Sequence, residues 1–148
     1  MSEPDITLPF KLKLEDLPFV EIVCKYQPDA KSEKQEWLRI SPSLGVLLAK
    51  QSSAKDKPEE VKGKIAPEAL IPLLTIFEPE GFFELPDDDI DDENGPVRSM
   101  SLSLPGRKKQ VVMTGIKFRE LDYLTGAVKM TAGLSVVEAL GREFLEAL

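Results

Sequence analysis

Apolar residues change period several times along this chain, and each change marks an element. Leu8, Phe10, Leu12 and Leu14 alternate with Pro9, Lys11 and Lys13, the period of two expected of a strand with one apolar face. Pro9 places the start of that strand at an edge or outside the ladder. Glu15 to Pro18 reads as a turn. Phe19 to Tyr26 is rich in β-formers, with Val20, Ile22, Cys24 and Tyr26 on one side, and is the clearest strand of the chain. Glu36 to Ser41 resumes the strand pattern and carries the only Trp. Val46 to Lys50 is too short for periodicity to decide between strand and helix.

Ser52 to Lys64 has almost no apolar content and mixed charge, so a surface loop is predicted there. Pro67 and Glu68 suit a first helical turn, and Leu70, Leu73, Leu74 and Phe77 then share one helical face. Pro72 interrupts that face. Either a short turn ends near Ile71 and Pro72 opens the main helix, or the helix is kinked. After Pro79 and Gly81 come GFFELP and the acidic run. Val97 to Leu104 and Gln110 to Thr114 form a predicted hairpin around Pro105-Gly106-Arg107-Lys108-Lys109. From Phe118 the pattern becomes helical, with Gly126 and Gly133 dividing it. Leu134, Val137, Gly141, Phe144 and Leu148 follow at spacings of three and four and build an apolar stripe.

The sum predicts a single α+β domain over residues 1–148, a small antiparallel sheet packed on one face by helices. Residues 1–7 are expected to be a flexible tail, and 52–64 and 87–95 to be mobile charged loops. At 148 residues the chain can bury roughly 68–70% of its unfolded surface, enough for a core without staples. One cysteine allows no internal disulfide. The N-terminus has early acidic residues and no apolar signal region, and the densest apolar stretch, Ala69 to Phe77, is too short to span a bilayer. A cytoplasmic protein without membrane insertion is the expectation.

Chemistry narrows the picture further, because the chain contains no histidine. The side chain most used for general acid–base work and metal ligation is absent. Cys24 lies within the best strand without a base to form its thiolate, and reads as a structural thiol. Ser99, Ser101 and Ser103 alternate along a strand with no evident base. No nucleotide-binding, P-loop, CxxC or HExxH pattern occurs. The net charge of −7 repels phosphate backbones, so a nucleic-acid partner is not expected.

Four features suit partner binding. The acidic run Asp87, Asp88, Asp89, Asp91, Asp92 and Glu93 fits a basic protein surface. It is not an EF-type calcium loop. Counted from Asp87, positions six and twelve are Asp92 and Arg98; counted from Asp89 they are Asn94 and Met100, whereas the motif needs Gly and Glu. No metal or cofactor is assigned. Arg107, Lys108 and Lys109 sit at the predicted hairpin tip, where lysines also discourage edge pairing. Phe82 and Phe83 are neighbours and point opposite ways on an extended segment. A partly exposed Phe83 would anchor an interface. Phe144 and Leu148 on the C-terminal stripe would dock a partner in the same way.

The stretch Pro67 to Thr114 reads PEAL…LL…F…EGFFELPD, an acidic insert, a strand, a basic Pro-Gly turn and another strand. It resembles the small emfourin-like bacterial proteins, whose helix ends in a GFF-x-LP segment followed by a hairpin. That resemblance implies a compact α+β domain that binds protein tightly without catalysis, its founding members being inhibitors of thermolysin-like metalloproteases. It covers about a third of the chain. A Ser-Gly-Gly-Phe-type turn near the start is replaced here by the Phe19 to Tyr26 strand, and no functional residue is carried over. The leading expectation is a non-enzymatic binding or assembly protein, an accessory subunit acting through protein contacts. A proteinaceous metalloprotease inhibitor is the alternative. An enzyme using carboxylates or a Ser–Lys pair is a third.

Overall fold

In the computed structural model, residues 8–29, 31–53, 55–115, 121 and 123–133 are described. Seven strands follow in chain order: β1 (Glu21–Gln27), β2 (Gln35–Ser41), β3 (Gly45–Gln51), β4 (Glu59–Gly63), β5 (Asp88–Ile90), β6 (Val97–Leu104) and β7 (Arg107–Thr114). They form one sheet in the order β4-β3-β2-β1-β6-β7-β5. All pairs are antiparallel except β5 with β7. The helices are α1 (Leu70–Phe77) and α2 (residues 121 and 123–133). The architecture is α+β, dominated by its sheet. The sheet is larger than expected, and it is mixed, because the acidic segment adds a strand parallel to β7.

β1 lies at the centre. Ile22 is opposite Ile40 on β2 and Leu102 on β6; Cys24 is opposite Leu38 and Met100. With Val46, Val111 and Met113 these residues line one face and join a single apolar cluster. Leu70, Leu73, Leu74 and Phe77 of α1 and Leu121, Leu124, Val128 and Ala132 of α2 complete that cluster, together with Leu17, Val20 and Phe82. The alternate residues Val23, Trp37, Arg39, Leu47 and the three serines Ser99, Ser101 and Ser103 fall on the opposite face and are partly buried. Among the described residues no helix is long and apolar enough to cross a membrane.

Several expectations change. Leu8 to Leu14 is not a strand; 3-10 turns occupy Pro9–Lys11 and Leu14–Phe19. Pro9 and Pro18 lack the N–H a ladder needs. Leu8 is still buried, and Phe10 and Leu12 pack against the core, whereas Leu14 is exposed. Val46 to Lys50 is strand. The loop expected at 52–64 contains β4, and the one at 87–95 contains β5; their ladder bonds to β3 and β7 form without apolar periodicity. A 3-10 turn at Pro67–Ala69 precedes α1. Pro72 therefore falls in the first turn of α1, where its missing N–H has no intrahelical partner to lose. Gly126 does not divide the C-terminal region but lies inside α2. The tail at 1–7 and the stripe from Leu134 to Leu148, with Phe144 and Leu148, lie outside the described residues.

Cys24 is 6% exposed, and burial pushes its thiol up to about 12, with Lys129 pulling weakly the other way. An unfolded thiol titrates near pH ~8.5. The folded protein therefore keeps its full stability below that pH and loses it as pH rises through the folded value, by up to about 1.4 kcal/mol per pH unit. Cys24→Val should remove that slope. Denaturant midpoints measured at about pH 8 and about pH 10.5 should fall further for the native chain than for the variant; equal falls would show that the thiol does not titrate this way.

Candidate functional site

Where α1 ends, the chain reverses. Gly81 has φ +67°, a left-handed conformation that a side chain would strain, and it starts the 3-10 turn Phe82–Glu84. Phe82 thereby enters the core, edge-on to Phe77 at 5.5 Å between ring centroids. Phe83 turns the other way and is only half-buried. Its ring meets Phe10 edge-on at 5.5 Å and carries the Arg107 guanidinium 3.7 Å above its centroid. A stacked guanidinium of this kind contributes about 0.5–2 kcal/mol, more as water is excluded.

Phe10 comes from the N-terminal segment. Phe10 and Lys11 have φ of +58° and +57°, and neither is glycine. Each such residue costs about 1–2 kcal/mol. The Phe10 backbone N–H donates to the Glu78 carboxylate at the end of α1, and the Phe10 ring rests on Phe83. These contacts offset the strain and fix the loop. Together Phe10, Lys11, Glu78, Phe83, Glu84 and Arg107 border a shallow cleft of about 470 Å³. Two aromatic rings and Leu8 line it, with two cations, Lys11 and Arg107, and two carboxylates, Glu78 and Glu84.

The acidic run leaves this ledge along the outer edge of the sheet. The Val112 N–H donates to the Asp87 carbonyl at 2.8 Å, and the Asp91 N–H to the Thr114 carbonyl at 2.8 Å. Gly95 and Gly115 let the two segments meet: a Cβ at Gly95 would come within 2.8 Å of the Gly115 backbone, and one at Gly115 within 2.7 Å of Asp91 Cβ. The carboxylates of β5 are exposed, as is Ile90 at 61%. Among the described residues no three acidic or thiol groups converge to hold a metal ion.

The basic triad is distributed rather than clustered. Pro105 and Gly106 alone make the hairpin turn, so Arg107, Lys108 and Lys109 belong to β7 and not to a protruding tip. Arg107 covers Phe83. Lys109, its side chain 16% exposed, bridges Asp87 at 2.8 Å. Lys108, one residue along from each of these, points to the other face of the sheet. The structure thus joins Phe83 with Arg107 and Lys109 with Asp87. Phe144 and Leu148 lie outside the described residues. Phe10, Lys11 and Glu78 were not legible as site residues; a left-handed Phe-Lys pair has no sequence signature, and only the kinking effect of Pro9 hints at it.

The sequence matches no known family model, and no curated protein is significantly similar to it.

The two adjacent phenylalanines should separate in their effect on stability. Phe82→Ala empties a core site and should cost about 3–5 kcal/mol. Phe83→Ala loses one ring contact on each side and the stacked guanidinium, and should cost about 1–2 kcal/mol. Urea denaturation of the two variants checks the order; equal losses would make Phe83 a core residue.

Proposed function

We propose that this protein is a non-enzymatic binding domain, an accessory subunit that docks another protein through the ledge of Phe10, Phe83 and Arg107. The observation that carries this reading is the half-buried Phe83 under a stacked arginine, held in a cleft whose backbone is fixed by Glu78. Aromatic and arginine side chains dominate interface energetics, and a preformed ledge loses little entropy on binding. The acidic edge beside the ledge favours a partner with a basic surface, and its exposed carboxylates speed encounter more than they add affinity. The charge of −7 argues against nucleic acid. Absence of histidine and a Cys24 thiol held protonated by burial support a role without catalysis.

A second reading is inhibition of a thermolysin-like metalloprotease. It is supported by the order of elements between Pro67 and Thr114, in which helix, GFF turn and hairpin follow one another as in the emfourin-like proteins, and by the position of GFF at the ledge.

Tagged protein drawn gently from its own cells should run above its monomer mass with one stoichiometric second chain. Phe83→Ala and Arg107→Glu, each shown to be folded, should return it to the monomer mass, and binding of the native chain should weaken with added salt. A complex that survives both substitutions would move the interface away from the ledge. A native chain that elutes alone would count against the subunit reading. Titration of a thermolysin-like protease then decides the second: one-to-one inhibition lost in Phe83→Ala supports it, and full protease activity at micromolar protein removes it.

A further inference from the structure

The two edges of the sheet are not alike. At one edge β5 (Asp88–Ile90) has no cation of its own, so a second copy of it is repelled. At the other, β4 carries both signs of charge in EEVKG. Among the described residues β3 is its one neighbour in the sheet, so its outer side presents the row of backbone N–H and C=O groups of an edge strand. Glu59, Glu60, Val61 and Lys62 are all exposed.

Two sets of side chains end at this edge. On the helix-covered face Met100, Cys24, Leu38, Leu48 and Val61 lie opposite one another in turn across β6, β1, β2, β3 and β4. Met100, Cys24 and Leu38 are buried, Leu48 is half-buried, and Val61 is 38% exposed. On the other face Lys62 and Glu60 meet at 4.0 Å, with 76% and 43% of their side chains exposed. An exposed pair of this kind contributes little, so both charges remain available to a partner strand.

Charge on an edge strand deters pairing with most sequences. One register of β4 against a second β4 escapes that rule. When Val61 lies opposite Val61 of an antiparallel copy, Glu60 faces Lys62 of the copy on both sides of the centre, and Glu59 faces Gly63. No like charges meet. A shift of two residues either way puts Glu60 opposite Glu60 or Lys62 opposite Lys62. A shift of one residue turns the helices of the two copies to opposite faces and breaks the apolar row.

We propose that β4 is a self-association edge, by which two copies of this protein join β4 to β4, antiparallel about a two-fold axis at Val61, into one continuous sheet. The apolar row then runs from Met100 of one copy through the two Val61 side chains to Met100 of the other. The interface is isologous and closes at two copies. Backbone bonds supply most of the attraction, and the Glu60–Lys62 pairs select the register. The strand is short and the buried surface small, so the dimer is weak and the chain is monomeric at the dilution in which the ledge binds its partner.

Sedimentation equilibrium of the folded full chain, from about 5 µM to about 500 µM, tests this. A monomer–dimer equilibrium is expected in the upper part of that range. Glu60→Lys and Lys62→Glu each set like charges opposite one another twice across the axis, and each should weaken the dimer at least about tenfold while the melting temperature of the dilute chain is unchanged. The double variant Glu60→Lys/Lys62→Glu restores opposite charges and should restore the native dissociation constant. Val61→Cys should oxidise to a covalent dimer, because two Cα atoms facing each other across an antiparallel pair lie within disulfide reach, whereas Glu59→Cys should not. A native chain that stays monomeric throughout the range would overturn the proposal. A dimer indifferent to both single charge reversals would overturn β4 as its interface, and a double variant that stays monomeric would overturn the register.

Discussion

The register of β1 against its two neighbours is the constraint on which the rest of this structure depends. Glu21 to Gln27 pairs with β2 on one side and β6 on the other, and both pairings put Ile22 and Cys24 into the same apolar rows. A slip of one residue would turn Glu21, Val23 and Lys25 toward the helices and expose Ile22 and Cys24. The row through Ile22 runs from Val46 and Ile40 to Leu102, so the same choice positions β3 and β6. With β6 fixed, the two-residue turn at Pro105 and Gly106 fixes β7. Arg107, the first residue of β7, then lands over Phe83. The ledge is thus set by strand register as much as by its own side chains.

How much of this was legible follows from which residues face the core. β1, β2, the apolar face of α1 and the β6–β7 hairpin could be read because each buries one side, and burial writes a period into the sequence. β3 was ambiguous at its length. β4 and β5 could not be read at all. Glu59, Glu60 and Lys62 of β4, and Asp88 and Asp89 of β5, are exposed, and these strands exist through backbone bonds to β3 and β7. Backbone bonding leaves no trace in side-chain pattern. The N-terminal segment erred the other way: Leu8, Phe10 and Leu12 reach the core at alternate positions, but through 3-10 turns and not a ladder. The half-burial of Phe83 was readable from its neighbour alone, whereas its pairing with Arg107 depends on the tertiary register.

Charge has a structural use here in addition to any role in recognition. Both outermost strands carry dense like or mixed charge, and exposed sheet edges so marked resist pairing with most other chains. β5 is also short, and it pairs with Val112, Met113 and Thr114 at the end of β7. The acidic run therefore contains a short strand, Asp88–Ile90, that borders the end of β7, and an isolated charge cluster is the wrong description of it. In the proposed complex, binding strength would then come from elsewhere, since exposed ion pairs contribute little. Aromatic area and a guanidinium stacked on a ring are the features of this surface that could supply it, and both lie at the ledge.

The left-handed pair at Phe10 and Lys11 bears on how that ledge works. Two such residues would not persist in an unsupported segment, given a cost of about 1–2 kcal/mol each. They persist because the Phe10 N–H is held by Glu78 and its ring by Phe83, itself fixed by Phe82 in the core. The chain from core to surface is continuous: Phe77, Phe82, Phe83, then Phe10 on one side and Arg107 on the other. A guanidinium stacked on a ring has already lost much of its rotamer freedom, so a partner that covers it does not have to supply that ordering. Strain held in the free protein and side chains fixed before contact are two aspects of one arrangement. They fix this end of the sheet before any contact, which is what the proposed docking by shape requires.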